Sequence, residues 1–279
     1  MKIDLDQASA FMAGHARLLD RRRFDLVTGQ GDASGALAAV MAYRNSDGGF
    51  GWGLEPDLRS PESQIAGALH AFEVFEETRE PAPELCDWLG EVTLPDGGLP
   101  FALPLTQPAG SSPWWASADS TRSSLQLTAA VTGAAHRAGM NGHPWLRKAT
   151  EYCLARIAER TETGFAIEFR FVLWFLDAIG AEAELERMVG FLPDDWVVPV
   201  EGGVDGEAQR PLDFSPWHEG PLRALMPRDV LEADLARLAA LQQDDGGWVV
   251  DFVSASPAAS LEWRGYATVD AVKILLPYL

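Results

Sequence analysis

One punctuation recurs through this chain and limits what it can fold into. Asn45-Ser46-Asp47-Gly48-Gly49-Phe50, Leu94-Pro95-Asp96-Gly97-Gly98-Leu99 and Asp244-Asp245-Gly246-Gly247-Trp248 are strong copies. Thr161-Glu162-Thr163-Gly164-Phe165 and Val200-Glu201-Gly202-Gly203-Val204 are weaker ones. Counted on Gly49, Gly98, Gly164, Gly203 and Gly247, the separations are 49, 66, 39 and 44 residues. Such periods are those of repeat architectures, in which each unit is one supersecondary element buried by its neighbours. An Asp-Gly-Gly step supplies residues able to adopt positive φ, which stops a helix and turns the chain back.

Helical patterns precede the turns. Ala33 to Tyr43 carries Leu37, Val40 and Met41; Pro83 to Val92 carries Leu85, Trp88 and Leu89; Ala149 to Ala158 carries Tyr152, Cys153 and Ile157; Val230 to Leu241 carries Leu231, Leu235, Leu238 and Leu241. Spacings of three and four put those groups on one stripe and leave a charged opposite face. A second kind of helix follows the turns, over Pro61 to Glu76, Thr121 to Ala138, Ala166 to Ile179 and Tyr266 to Leu276. It is largely free of a charged face, which suits an inner position. The expectation is an all-α chain in which about five to six helical hairpins, with an N-terminal helix near Asp6 to Phe24, close an α/α toroid of inner and outer layers. No Pro- or Ser-rich linker interrupts them, so residues 1–279 are read as a single domain.

Composition narrows the partners. Hydrophobic residues make up 47% of the chain and ten are Trp, enough for a large core. A net charge of −19 repels polyanions, so nucleic acid is not an expected partner. Acidic residues in Met1-Lys2-Ile3-Asp4-Leu5-Asp6 stand where a signal peptide needs an apolar core, and no uncharged run is long enough for a transmembrane segment. Phe165 to Ile179 comes nearest and is broken by Glu168, Arg170 and Asp177. Cys86 and Cys153 lack a close Cys or His partner. The expectation is a cytoplasmic protein without cofactor or metal.

The run Arg237-Leu238-Ala239-Ala240-Leu241-Gln242-Gln243-Asp244-Asp245-Gly246-Gly247-Trp248 resembles the Gln-Trp repeat of triterpene cyclases, with Gln242, Gly246 and Trp248 in the expected order. The Asp-Gly-Gly-aromatic turns are similar to those of protein prenyltransferase β-subunits. The resemblance to this terpenoid cyclase and prenyltransferase superfamily runs along nearly the whole chain and speaks to fold rather than reaction. It implies that Gln242 caps neighbouring backbone and that Trp248 stacks on it as scaffolding. The zinc ligands of protein prenyltransferases and the Asp-rich magnesium motif of class I terpene synthases have no counterpart in this sequence.

Loops between turns and inner helices hold the candidate ligand-binding residues: Trp52, Glu55, Asp57 and Arg59; Trp114 and Trp115; Asp213 and Trp217; Asp251, Glu262 and Trp263. Loops on a rigid scaffold commonly carry function, and aromatic walls hold hydrophobic or cationic guests. The candidate catalytic residue is Asp119 in Trp114-Trp115-Ala116-Ser117-Ala118-Asp119-Ser120-Thr121. Laid on the Asp-x-Asp-Asp-Thr motif of class II terpene cyclases, Asp119 holds the proton-donating middle position, while Ser117 and Ser120 replace the flanking acids. The competing reading makes Asp119 a helix cap. In Glu55-Pro56-Asp57-Leu58-Arg59-Ser60-Pro61-Glu62, Ser60 reads as an N-cap and Pro61 as the first helical residue, leaving Glu55 and Asp57 unexplained.

The resemblance implies a Trp-lined cavity for a hydrophobic isoprenoid-like ligand, with metal-independent, proton-initiated cyclisation. Two alternatives stand beside it: a non-catalytic binder of a hydrophobic small molecule, and a carbohydrate-active α/α-toroid enzyme. A facing acid pair across the cavity would favour the last.

Overall fold

The computed structural model describes residues 2–279. The described chain is mostly helical: α1 (Leu5–His15), α2 (Leu18–Val27), α3 (Ala33–Met41), α4 (Ile65–Thr78), α5 (Pro83–Val92), α6 (Pro113–Ala116), α7 (Leu125–Arg137), α8 (Pro144–Ala158), α9 (Ala166–Ala178), α10 (Glu182–Val189), α11 (Pro211–Phe214), α12 (Pro221–Leu225), α13 (Arg228–Ala240) and α14 (Pro257–Leu275). A two-stranded antiparallel ladder, β1 (Val198–Pro199) with β2 (Ala208–Gln209), is the only sheet among the described residues. No helix among them is long and apolar enough to cross a membrane.

The three strong turns share one backbone geometry. In each, an aspartate accepts from the second glycine's N–H: Asp47 from Gly49 at 3.0 Å, Asp96 from Gly98 at 3.1 Å, Asp245 from Gly247 at 3.1 Å. The first glycine has φ of 94°, 91° and 93° at Gly48, Gly97 and Gly246, the left-handed region that a side chain resists. The same aspartate oxygen then takes a donor from the next long helical segment or its approach, Ser63, Ser123 or Arg264. Each second glycine lies against an aromatic ring of another helix: Gly49 on Trp88 of α5, Gly98 on Tyr152 of α8, Gly247 on Phe11 of α1. A Cβ at these glycines would fall 2.6 to 2.8 Å from those rings.

The third contact joins the two ends of the sequence. Gln242 clasps the backbone of Asp4 on both sides, its Oε1 accepting from the amide at 2.8 Å and its Nε2 donating to the carbonyl at 2.8 Å. Trp248 is buried at 2% exposure, and its Nε1 donates to the Leu238 carbonyl at 2.8 Å.

α4 packs on α7, α7 on α8 and α9, and α14 on α1 and α2. The core between α4, α7 and α9 admits no bulk at Gly133, which lies against the Phe175 backbone. Ala and Thr on α7, buried from Leu127 to Gly133, allow that approach.

Several boundaries differ from the sequence reading. The N-terminal segment is two helices, because Ala16 and Arg17 are extended and Arg17 turns to bind Asp20 and the Leu54 carbonyl. The helix expected from Pro61 begins at Ile65, so Ser60 is not its cap; Ser60 and Thr106 instead meet the Glu62 carboxylate. The helix expected from Thr121 begins at Leu125, capped by Ser124. The last helix begins nine residues early, at Pro257 with Ser256 as cap, so Glu262 and Trp263 lie inside it rather than in a loop. The weak copy at 200–204 turns the β-hairpin, not a pair of helices.

Candidate functional site

The carboxylates left unexplained by local capping are the ones the fold buries. Glu55 and Asp57 sit at 7% and 3% exposure in the segment before α4. Asp57 accepts from Trp263 Nε1 at 2.8 Å and from the Ala255 amide at 2.7 Å. Burial pushes its carboxyl above the ordinary value, against the pull of those two donors. Glu55 Oε2 lies 2.7 Å from His70 Nε2, and the other ring nitrogen lies 3.0 Å from Glu73. Burial alone would lower the imidazole pKa; Glu73 and Glu55 outweigh it and push His70 up to about 10, so it is an imidazolium at neutral pH. Trp263 and Tyr266 meet its ring edge to face at 6.0 and 5.2 Å.

The network continues down α4 and α14. Tyr266 donates to Glu73 at 2.8 Å. Arg23 of α2 forks onto Glu77 at 2.8 and 2.9 Å, and Lys273 reaches Glu77 at 3.1 Å. Burial would raise Glu77, but the two cations hold it down at about 2. Arg59 forms a bidentate pair with Glu262. These bonds join α14, at the C-terminus, to α2, α4 and the loop between α3 and α4.

Beyond this satisfied seam lies a second group with open valences. Asp270 of α14 has no hydrogen bond within the protein; its nearest cation is Arg23 at 3.6 Å, and its side chain is 36% exposed. Asp213 of α11 accepts from the Arg210 amide at 2.8 Å through one oxygen and leaves the other open. Burial pushes both carboxyls up to about 6, in Asp213 against the charge of Arg170 and in Asp270 against that of Arg23. Glu76 accepts from Trp217 at 3.0 Å and is likewise raised by burial. Trp217 meets Trp174 edge to face at 5.1 Å, and Arg137 lies 3.4 Å over the Trp217 ring.

The other expected site residues lie elsewhere. Asp119 is exposed, and its Oδ1 accepts from the Thr121 amide at 2.9 Å and the Thr121 hydroxyl at 2.6 Å. Those bonds hold its pKa below the ordinary value. Asp119 therefore closes a surface turn, where its two bonds to Thr121 favour the anion over the proton donor that the motif position calls for. It is not the helix cap either, that role being Ser124's. Trp115 is buried against Phe101, ring centroids 4.7 Å apart, whereas Trp114 is half exposed. Trp52, at 61% exposure, borders an outer groove of about 300 Å³ with Arg59 and Gln107. Asp251 is exposed and meets only the Ala208 amide, at 3.5 Å. Of the expected set, Glu55, Asp57, Asp213, Trp217 and Trp263 join the interior groups; Asp119, Trp52, Trp114 and Asp251 do not.

Sequence reasoning missed Arg23, His70, Glu73, Arg170, Trp174 and Asp270. The signal was present as polar groups at helical spacing: His70, Glu73 and Glu77 on α4, and Tyr266, Asp270 and Lys273 on α14. Among the described residues, no three His, Cys, Asp or Glu side chains are grouped to hold a metal ion. No protein-family model matches the chain, and no curated protein matches it.

Proposed function

We propose that the helices close into a toroid and that its interior binds a carbohydrate-type, polyhydroxylated ligand, with Asp213 and Asp270 as an acid–base pair. The closure rests on the repeated turn. Gly49 and Gly98 each pack on the outer helix of the following hairpin, and Gly247 packs in the same way on α1, so the last unit treats the first as its successor. The polar seam from Arg23 through Glu77 to Lys273 then joins the first, second and last helical units across the interior.

The observation that carries the function is that Asp213 and Asp270 both stand near Arg170, each with an oxygen free of protein partners and each pushed up by burial to about 6. Two acids poised near neutrality supply one donor and one acceptor of protons over the same pH range. Two carboxyls beside an aromatic ring are the equipment of glycoside hydrolysis, and Trp174, whose Nε1 donates to the Asp213 carbonyl at 2.9 Å, stands beside Asp213. An isoprenoid guest, the ligand the superfamily resemblance implies, would strand Asp213, Asp270 and Glu76 without water, at a cost of roughly 2–7 kcal/mol for each uncompensated polar group. Hydroxyl groups answer those same valences. The two cysteines are free and buried, which suits a reducing cytosol.

The test is release of reducing ends from a panel of neutral and acidic oligosaccharides. Turnover should fall about 100-fold or more in Asp213→Asn and in Asp270→Asn, the range expected on losing a general acid or base. Retained turnover in both variants, or binding of prenyl alcohols in preference to every sugar tested, would overturn the proposal.

A further inference from the structure

Arg170 on α9 is the interior cation that the protein leaves without a partner. Its Nε is buried with no hydrogen-bond acceptor, and no carboxylate stands within ion-pair distance of its guanidinium. Its neighbours are aromatic, Phe171 at 4.5 Å and Trp174 at 5.2 Å from the guanidinium carbon. The other interior cations are answered: Arg23 and Lys273 by Glu77, Arg137 by Asp177. Asp213, Asp270, Glu73 and Tyr266 are near enough to act on Arg170 through charge without bonding to it. Burial still lowers the Arg170 pKa against the charge of those acids, and its Nε has no acceptor, so an anion able to bond the guanidinium directly would be favoured there.

We propose that Arg170 receives the carboxylate of the ligand, so that the substrate class is acidic sugars of the uronate type. This rests on the carbohydrate reading above. The planar fork of an arginine matches a carboxylate with two parallel hydrogen bonds. Bonded to neither Asp213 nor Asp270, though felt by both through charge, Arg170 would fix which end of the substrate enters and leave the oxygens of the two acids free for proton transfer.

The experiment is calorimetric titration of the whole chain with D-glucuronate, D-glucose and inorganic phosphate, repeated on Arg170→Gln and Arg170→Lys. Glucuronate should bind the native chain more tightly than glucose. Arg170→Gln should weaken glucuronate about 10- to 100-fold, as loss of a charge-assisted bond does, and should weaken glucose less. Arg170→Lys, which keeps the charge but not the fork, should fall between and serves as the reference if the Gln variant folds poorly. Equal affinity for glucose and glucuronate, unmoved by either variant, would overturn the carboxylate subsite while leaving the carbohydrate reading intact. Phosphate binding that needs Arg170, with no glucuronate binding, would overturn it in favour of a phosphorylated ligand. Failure of both sugars to bind would remove the carbohydrate reading itself.

Discussion

Replacing Glu77 with Gln should be among the most damaging single changes in this chain. Glu77 is 4% exposed, and it faces Arg23, 3% exposed, through two bonds of 2.8 and 2.9 Å, with Lys273 at 3.1 Å. An amide of the same shape can answer one donor but not the charge, so Arg23 is left as a buried cation whose remaining acidic neighbours, Glu73 and Asp270, stand 3.9 and 3.6 Å away. Breaking a buried pair by removing one partner costs about 3–5 kcal/mol. The pKa gives a separate figure. A fall from the ordinary 4.5 to about 2 corresponds to roughly 3 kcal/mol in favour of the ionised, folded form. Because the folded pKa is depressed, that stabilisation is present above about 4.5 and is lost as pH falls toward 2. Urea unfolding at pH 7 should therefore place Glu77→Gln about 3 kcal/mol below the native chain, with the slope unchanged. At pH 4 the gap should be narrower by about 1 kcal/mol. A deficit under about 1 kcal/mol at pH 7, or a gap that widens on acidification, would refute this view of the seam.

Trp248→Ala should destabilise by about 3–5 kcal/mol, since it empties a buried aromatic site and removes a donor to the Leu238 carbonyl; an unchanged melting temperature would show that the turn does not brace the ends. Asp119→Asn keeps an acceptor for the Thr121 amide and should alter stability by no more than about 0.5 kcal/mol, as surface substitutions do, with no loss of activity. A large loss of turnover in that variant would restore Asp119 to the chemistry.

The parts of the fold written in short-range chemistry were legible. Asp-Gly-Gly marks a turn wherever it occurs because the first glycine's φ and the aspartate's acceptor are local requirements, and all three strong copies are built alike. Helix α5 begins and ends where the apolar stripe and its leading Pro83 place it. Starts that depend on tertiary bonds were not legible. Pro61 and Ser60 look like a helix opening, yet the segment bends there and neighbours Arg59, whose partner Glu262 is 203 residues away. The site was half visible for the same reason. Asp213 and Trp217 stood out as polar and aromatic residues in a loop, whereas Arg170 was noted only as a charge interrupting an apolar run. Its meaning depends on what surrounds it, and α9 alone does not say that no carboxylate will reach it. The placement of Asp119 was not legible because a motif position specifies neither burial nor the turn that uses its oxygen.

The central claim is that the interior holds two carboxyls poised near neutrality. Carboxyl-carbon NMR of the native chain labelled at aspartate, assigned with Asp213→Asn and Asp270→Asn, measures it directly. Both resonances should titrate near 6, well apart from an exposed aspartate such as Asp119, and both should move when a bound sugar takes up their open oxygens. Midpoints near 4 for both, unmoved by any sugar, would mean that these carboxyls are ordinary solvated anions, and the acid–base account would be wrong.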